Sequence, residues 1–214
     1  MNLIPDAPEP TGGAPLDLIA TALATEGFVV LPEALPQALT DALFAHLISL
    51  PRAGFADAGV GREDGYHNDG FVRTDKTFWI DPGRPATSAY LDWIEDLRLG
   101  LNRRLFLGLF DFECHFAWYP AGAYYRRHVD AFKGGTNRVL SVVLYLNPQW
   151  TNADGGELLL YRAGEDEPLD RVLPSYGRMV IFLSEEFPHE VIAARRARYS
   201  LTGWFRVNNA APPR

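Results

Sequence analysis

RVLSVVLYLN, residues 138–147, carries the reading of the fold. Val, Leu and Tyr dominate it, and these side chains suit a pleated, half-buried surface. In a strand, successive side chains point to opposite faces. Leu140, Val142, Leu144 and Leu146 then form one face, and Val139, Ser141, Val143 and Tyr145 the other. Both faces are mostly apolar, so the strand is expected to be covered on both sides. One side should meet helices. The other, with hydroxyls at Ser141 and Tyr145, should face a pocket.

The sequence downstream and just upstream extends this pattern. CHFAWYP (114–120), YYRRHVD (124–130), GELLLY (156–161), RMVIFL (178–183), HEVIAA (189–194) and RYSLTGWFRV (198–207) all read as strands. Many short strands with Gly/Pro turns predict a sandwich or barrel. The first half reads as helical. Residues 15–26 open on Pro15 and stop at Gly27, and GFVVL follows as a short strand. Leu39, Leu43, Phe44 and Leu47 recur at helical spacing within 36–50, as do Tyr90, Trp93, Ile94 and Leu97 within 86–108. Helices first and strands after predict an α+β domain with the helices on one sheet face. The stretch GFADAGVGREDGYHNDGFVR (54–73) has no core pattern. Such a stretch inside a compact domain is usually functional or mobile, with a plain solvated loop as the alternative. Residues 1–14 and 208–214 read as flexible tails. That leaves one domain over 15–207, its β core at about 114–207.

Composition narrows the function classes. The chain has 214 residues, 47% apolar and 22% charged, which suits one domain with a sizeable core. A net charge of −7 argues against a general nucleic-acid binder. A single cysteine, Cys114, leaves no internal disulfide. No apolar run reaches the length of a membrane span and no leader pattern opens the chain, so no membrane partner is expected. A reducing cytoplasm is the expected location.

The chemistry begins at His128-Val129-Asp130. Residues i and i+2 of a strand share a face, so imidazole and carboxylate converge. One further histidine from another strand would complete two His and one carboxylate, the donor set of non-haem Fe(II) oxygenases. Alone, HxD is more commonly a surface pair. His189, which follows Pro188 and begins a strand, supplies the third donor. His46 suits an amphipathic helix; His67 and His115 stay open. Arg198 comes nine residues after His189 and heads a polar row, Arg198, Ser200, Thr202 and Trp204, along the last strand. A buried guanidinium needs an anion partner, and a dicarboxylate would satisfy its planar fork. Membership of the exposed RRAR run (195–198) is the alternative.

Taken together, HxD, a distal PH and an Arg nine residues later resemble the Fe(II)- and 2-oxoglutarate-dependent oxygenases of the prolyl-hydroxylase type. The resemblance is nearest to the hypoxia-sensing prolyl hydroxylases and their bacterial relatives. It covers roughly 27–207 and rests on YP at 119–120, YYRRHVD at 124–130, YLN at 145–147, GGELLLY at 155–161, PHEV at 188–191 and RYSLTGW at 198–204. It implies a double-stranded β-helix, a squashed barrel of two sheets backed by helices. It implies iron on His128, Asp130 and His189, and the distal carboxylate of 2-oxoglutarate on Arg198 and Tyr145. Tyr119, Leu158, Val191, Thr202 and Trp204 would line the pocket. VRTDKTFWI (72–80) is similar to the family's segment after its substrate loop. With Arg73 beside it, Asp75 would there pair with Arg138 and tie loop to barrel. O2 is the implied oxidant and ascorbate a candidate reductant. The implied reaction is hydroxylation of a C–H bond in a prolyl residue of a protein, with release of succinate and CO2. In microbes the resemblance points to a translation-machinery protein as partner. The retained Asp130 speaks against halide transfer, since halogenating members replace that carboxylate by a small residue. The rivals are hydroxylation of a free amino acid or other small molecule, a nucleic-acid demethylase of the same fold, against which the −7 charge argues, and a catalytically silent binding module.

Overall fold

The computed structural model describes residues 16–59, 72–131 and 137–208. The expected tails (apart from Asn208), and the central 60–71 part of the 54–73 stretch with His67, lie outside them. The described chain runs α1 (Leu16–Thr25), β1 (Phe28–Leu31), α2 (Gln37–Ser49), β2 (Ala56–Asp57), β3 (Lys76–Trp79) and α3 (Pro85–Leu105). It continues β4 (Leu109–Tyr119), β5 (Tyr125–His128), β6 (Arg138–Tyr145), β7 (Leu158–Leu160), β8 (Asp170–Val172), β9 (Met179–Leu183), β10 (His189–Val191) and β11 (Arg198–Val207).

These strands form two antiparallel sheets. The larger has the order β1-β9-β6-β11-β4-β3-β2 and the smaller β5-β10-β7-β8. Two such sheets with helices on one outer face make the expected double-stranded β-helix, and β6 shows why. Leu140, Val142, Leu144 and Leu146 join Leu43, Leu47, Tyr90, Ile94 and Leu97 of the helices in one apolar core. Val143 and Tyr145 point the other way, into a second core between the sheets with Leu158, Leu160, Val180 and Phe182. A strand apolar on both faces is what a two-layer interior of this kind requires.

Some elements differ from the sequence reading. β4 starts five residues before the expected 114, so its paired length with β11 reaches from Leu109 to Tyr119. β2 and β3 extend the large sheet inside and just after a stretch with no core pattern, because they add to its edge and bury little. Asp130 lies beyond β5, which ends at His128. Its carboxylate therefore converges with the imidazole through the strand's exit, not through shared strand phase.

Candidate active site

β5 and β10 are neighbours in the small sheet, and their register places His128 opposite His189. The two rings lie 4.2 Å apart. Asp130 completes the group: Oδ1 is 3.7 Å from His128 Nε2 and Oδ2 is 3.6 Å from His189 Nε2. One ligand atom from each of the three residues can be chosen with all within 4.8 Å of one another. Both histidines are prepared in the same way. His128 Nδ1 lies 2.8 Å from the Arg126 carbonyl and His189 Nδ1 lies 2.9 Å from the Phe187 carbonyl. A carbonyl only accepts, so Nδ1 carries a proton in each ring, and Nε2 is the atom turned towards Asp130. Burial, with His128 beside it, pushes His189 down to about 4 and keeps it neutral at pH 7.

The carboxylate is held from behind. Ser141 of β6 donates to Asp130 Oδ2 at 2.6 Å, and Ser184 Oγ is 2.9 Å from Ser141 Oγ. Both serines are fully buried. Burial works to raise the Asp130 carboxyl, but His189, His128 and the Ser141 hydroxyl outweigh it and hold it below the usual carboxylate range. Two imidazole nitrogens and a carboxylate, with ordered partners behind them, fit an Fe(II) ion with further positions open.

A second feature sits farther along the same interior. Arg198 begins β11 and is 1% exposed. Its Nε donates to the Gly156 carbonyl at 2.8 Å, and its guanidinium carbon lies 4.8 Å from the Tyr119 ring centre and 5.1 Å from that of Tyr145. No carboxylate among the described residues pairs with it. The Tyr145 hydroxyl is also buried without a hydrogen-bond partner there, and burial pushes it up to about 12, so it remains a donor. A buried cation and an idle hydroxyl fit an external carboxylate. Gly156 makes room for this arrangement, which the sequence reading missed. Its φ is +74°, and a Cβ there would meet Ala194 Cβ at 2.8 Å and Arg198 Cδ at 3.2 Å. The glycine pair in GGELLLY was the available signal.

The expected lining residues divide between the inter-sheet core and the inner face of β11. Tyr119, Leu158 and Val191 belong to the inter-sheet core. Thr202 pairs in register with Val143 and His115, and Trp204 with Ser141 and Glu113. The expected Asp75–Arg138 tie is not formed. Arg73 instead donates to both Asp75 oxygens, at 2.8 and 2.7 Å. Arg138 bonds Glu113 at 2.8 Å and lies 3.6 Å over the Trp204 ring. Asp75 is buried, and a guanidinium two residues away satisfies it without a partner from across the barrel. What does join this segment to β5 is backbone, Arg126 N–H to the Val72 carbonyl at 2.8 Å, with the Arg73 guanidinium 4.2 Å over Tyr125.

A squashed barrel with two histidines, one carboxylate and a deep arginine defines the class of non-haem oxygenases that take a dicarboxylate co-substrate. Comparison with known proteins agrees. The family model of the 2OG-Fe(II) oxygenase superfamily matches residues 114–206. Human prolyl hydroxylase EGLN3 is 30% identical over 200 residues, spanning 89% of this chain and 82% of that protein. A crystal structure of a Pseudomonas putida prolyl-4-hydroxylase superposes with TM-score 0.81 at 43% identity, covering 91% of this chain and all of that one. A prolyl hydroxylase from Trichoplax adhaerens, solved with a hypoxia inducible factor oxygen degradation domain peptide fragment, gives 0.78 at 28% identity, covering 89% and 88%. The chain spans a smaller part of other curated relatives, 33% of human Egl nine homolog 1. The chain belongs to the 2-oxoglutarate- and Fe(II)-dependent oxygenase superfamily and is similar to prolyl hydroxylases within it. Fe(II), 2-oxoglutarate and O2 are the cofactor and co-substrates of that superfamily. Among the described residues, no helix is long and apolar enough to cross a membrane.

Proposed function

We propose that this protein is a dioxygenase that hydroxylates a C–H bond of a prolyl residue in a protein, consuming 2-oxoglutarate and releasing succinate and CO2. The observation that carries the reading is the pairing, inside one barrel, of the His128–Asp130–His189 group with a buried guanidinium that has no carboxylate partner among the described residues. His128, Asp130 and His189 hold the iron through the two Nε2 atoms and a carboxylate oxygen. Arg198 and Tyr145 take the far carboxylate of 2-oxoglutarate, so the keto-acid end is directed back to the metal. An Fe(II) ion held there would supply the coupling of 2-oxoglutarate's oxidative decarboxylation by O2 to hydroxylation of the substrate. Val143, Leu158 and Val191 exclude water from that chemistry. Tyr119, Thr202 and Trp204 shape the remaining wall.

A polypeptide substrate is supported by the relatives, one of them solved with a bound peptide fragment, and by Trp79, which stands 58% exposed at the end of β3. Proline suits such a site because its fixed φ lowers the entropy lost on placing its C–H bonds. We assign the enzyme to the cytoplasm, and the translation machinery is the first protein class to test as partner. The test incubates the enzyme with Fe(II), 2-oxoglutarate and ascorbate plus either proline-containing peptides or free proline and other amino acids, read by mass spectrometry. A gain of one oxygen on a peptide proline, matched by succinate, is expected. Turnover on free amino acids alone would overturn the protein substrate.

A further inference from the structure

His115 is a polar group of the barrel interior that neither the metal ligands nor Arg198 engages. The residue is 5% exposed, and Nδ1 is buried with no hydrogen-bond partner among the described residues. Trp204 sits diagonally from it on β11 and shares its condition, with Nε1 buried and equally without a partner. The two rings are 5.5 Å apart. On the other side, Trp79 pairs in register with His115 and brings its exposed ring to 5.2 Å. Trp204 is in turn in register with Ser141, which holds Asp130. Three rings therefore run across β3, β4 and β11, from exposed Trp79 to the position in register with Ser141.

Nothing in the surrounding charge explains a histidine here. The nearby guanidiniums have their carboxylates, Arg73 with Asp75 and Arg138 with Glu113. Burial pushes the imidazole down to about 4, so it is neutral, with one donor and one acceptor nitrogen. A buried polar atom left without a partner destabilises a fold. Two such atoms on adjacent positions of one face point to a ligand that completes them. Thr202, the partner of His115, lies four residues from Arg198, about 13 Å along the strand. The ring row thus stands apart from the carboxylate anchor along β11. A prolyl residue has no N–H, so the main-chain groups beside it are chiefly carbonyls, which both ring donors can meet.

We propose that His115 is a specificity-determining residue for the polypeptide substrate: together with the Trp204 indole N–H it hydrogen-bonds main-chain carbonyls beside the target residue, under cover of Trp79. This rests on the peptide reading of the site. The test compares wild type, His115→Phe and His115→Gln, each loaded with Mn(II) and 2-oxoglutarate to prevent turnover. The probe is a panel of fluorescein-labelled twelve-residue peptides, each with one central proline, read by anisotropy. His115→Phe keeps the ring row and should bind the preferred peptide about tenfold more weakly, the loss of one net hydrogen bond. Its KM for 2-oxoglutarate should be unchanged and its unfolding midpoint equal or higher, since an unpartnered nitrogen leaves the interior. His115→Gln should recover peptide affinity. Undiminished peptide binding by His115→Phe, a raised KM for 2-oxoglutarate, or a lowered midpoint with no rescue by Gln would overturn the role of His115 while leaving the peptide reading intact. No binding of any peptide by wild type would overturn the peptide reading itself, and this inference with it.

Discussion

Ser141 does at the scale of one residue what the metal site most depends on. An ionised carboxylate inside a protein is costly unless its oxygens are engaged. One hydroxyl at 2.6 Å, itself backed by Ser184, fixes the carboxylate plane of Asp130 before any ion arrives. Partners of this kind typically contribute 10–100-fold to metal affinity. Ser141→Ala is therefore expected to weaken Mn(II) binding by roughly that factor, measured by calorimetry on metal-stripped protein, while Ser141→Thr keeps the hydroxyl and most of the affinity. Equal affinity in the alanine variant would remove Ser141 from the site. Individual residues were unequally legible in the sequence. The three candidate metal ligands and Arg198 could be picked out because each belongs to a short pattern with a fixed offset. Asp75 and Arg138 were joined wrongly because two guanidiniums and two carboxylates share one cluster, and spacing along the chain does not say which will pair. His115 showed no motif at all; its one signal was sharing a strand phase with Tyr119.

Among the elements, β11 organises the site. It lies between β4 and β6 and pairs along nearly its whole length with both. Arg198, Thr202 and Trp204 project from its inner face, while Leu201 and Phe205 enter the helix-side core. Gly203 permits the close approach to β4. A Cβ there would come within 2.3 Å of Phe112 Cζ, 2.6 Å of Cys114 Cβ and 2.7 Å of the Glu113 carbonyl. Gly203→Ala must push β4 and β11 apart and should cost about 1–3 kcal/mol, the usual range for overpacking. Urea unfolding checks this, and an unchanged midpoint would contradict the packing. β11 was read correctly from sequence to the residue, since ten residues of alternation leave little freedom. β8, with only Asp-Arg-Val, has too short a pattern to show itself. β3 was hidden for another reason: Lys-Thr-Phe-Trp, held between β4 and the two-residue β2, puts one polar and one apolar residue on each face and shows no alternation.

For the whole molecule, the barrel interior sets how stability depends on pH. His115 and His189 are both pushed down to about 4 by burial, from an ordinary value near 6.5. Between those values the unfolded chain binds protons that the folded protein refuses. Their contribution to stability is therefore complete above pH 6.5 and declines as pH falls towards 4, by up to about 1.4 kcal/mol per pH unit for each ring. Asp130 works at lower pH, because its carboxyl lies below the ordinary range and its contribution is lost only as pH falls through the carboxylate region. Metal-stripped protein should consequently unfold at lower urea at pH 5 than at pH 7, and His115→Phe should lessen the difference. Equal midpoints at both pH values would contradict neutral burial of these rings.

In the proposed enzyme, one interior holds iron on His128, Asp130 and His189 and a dicarboxylate on Arg198 and Tyr145. A crystal structure of the protein grown with Mn(II) and N-oxalylglycine, an unreactive analogue of 2-oxoglutarate, tests it most directly. One ion is expected, bound by the two Nε2 atoms and a carboxylate oxygen of Asp130 and chelated by the analogue, whose far carboxylate meets the Arg198 guanidinium and the Tyr145 hydroxyl. An ion bound away from those three residues, or an analogue whose carboxylate leaves Arg198 without an anion, would contradict it.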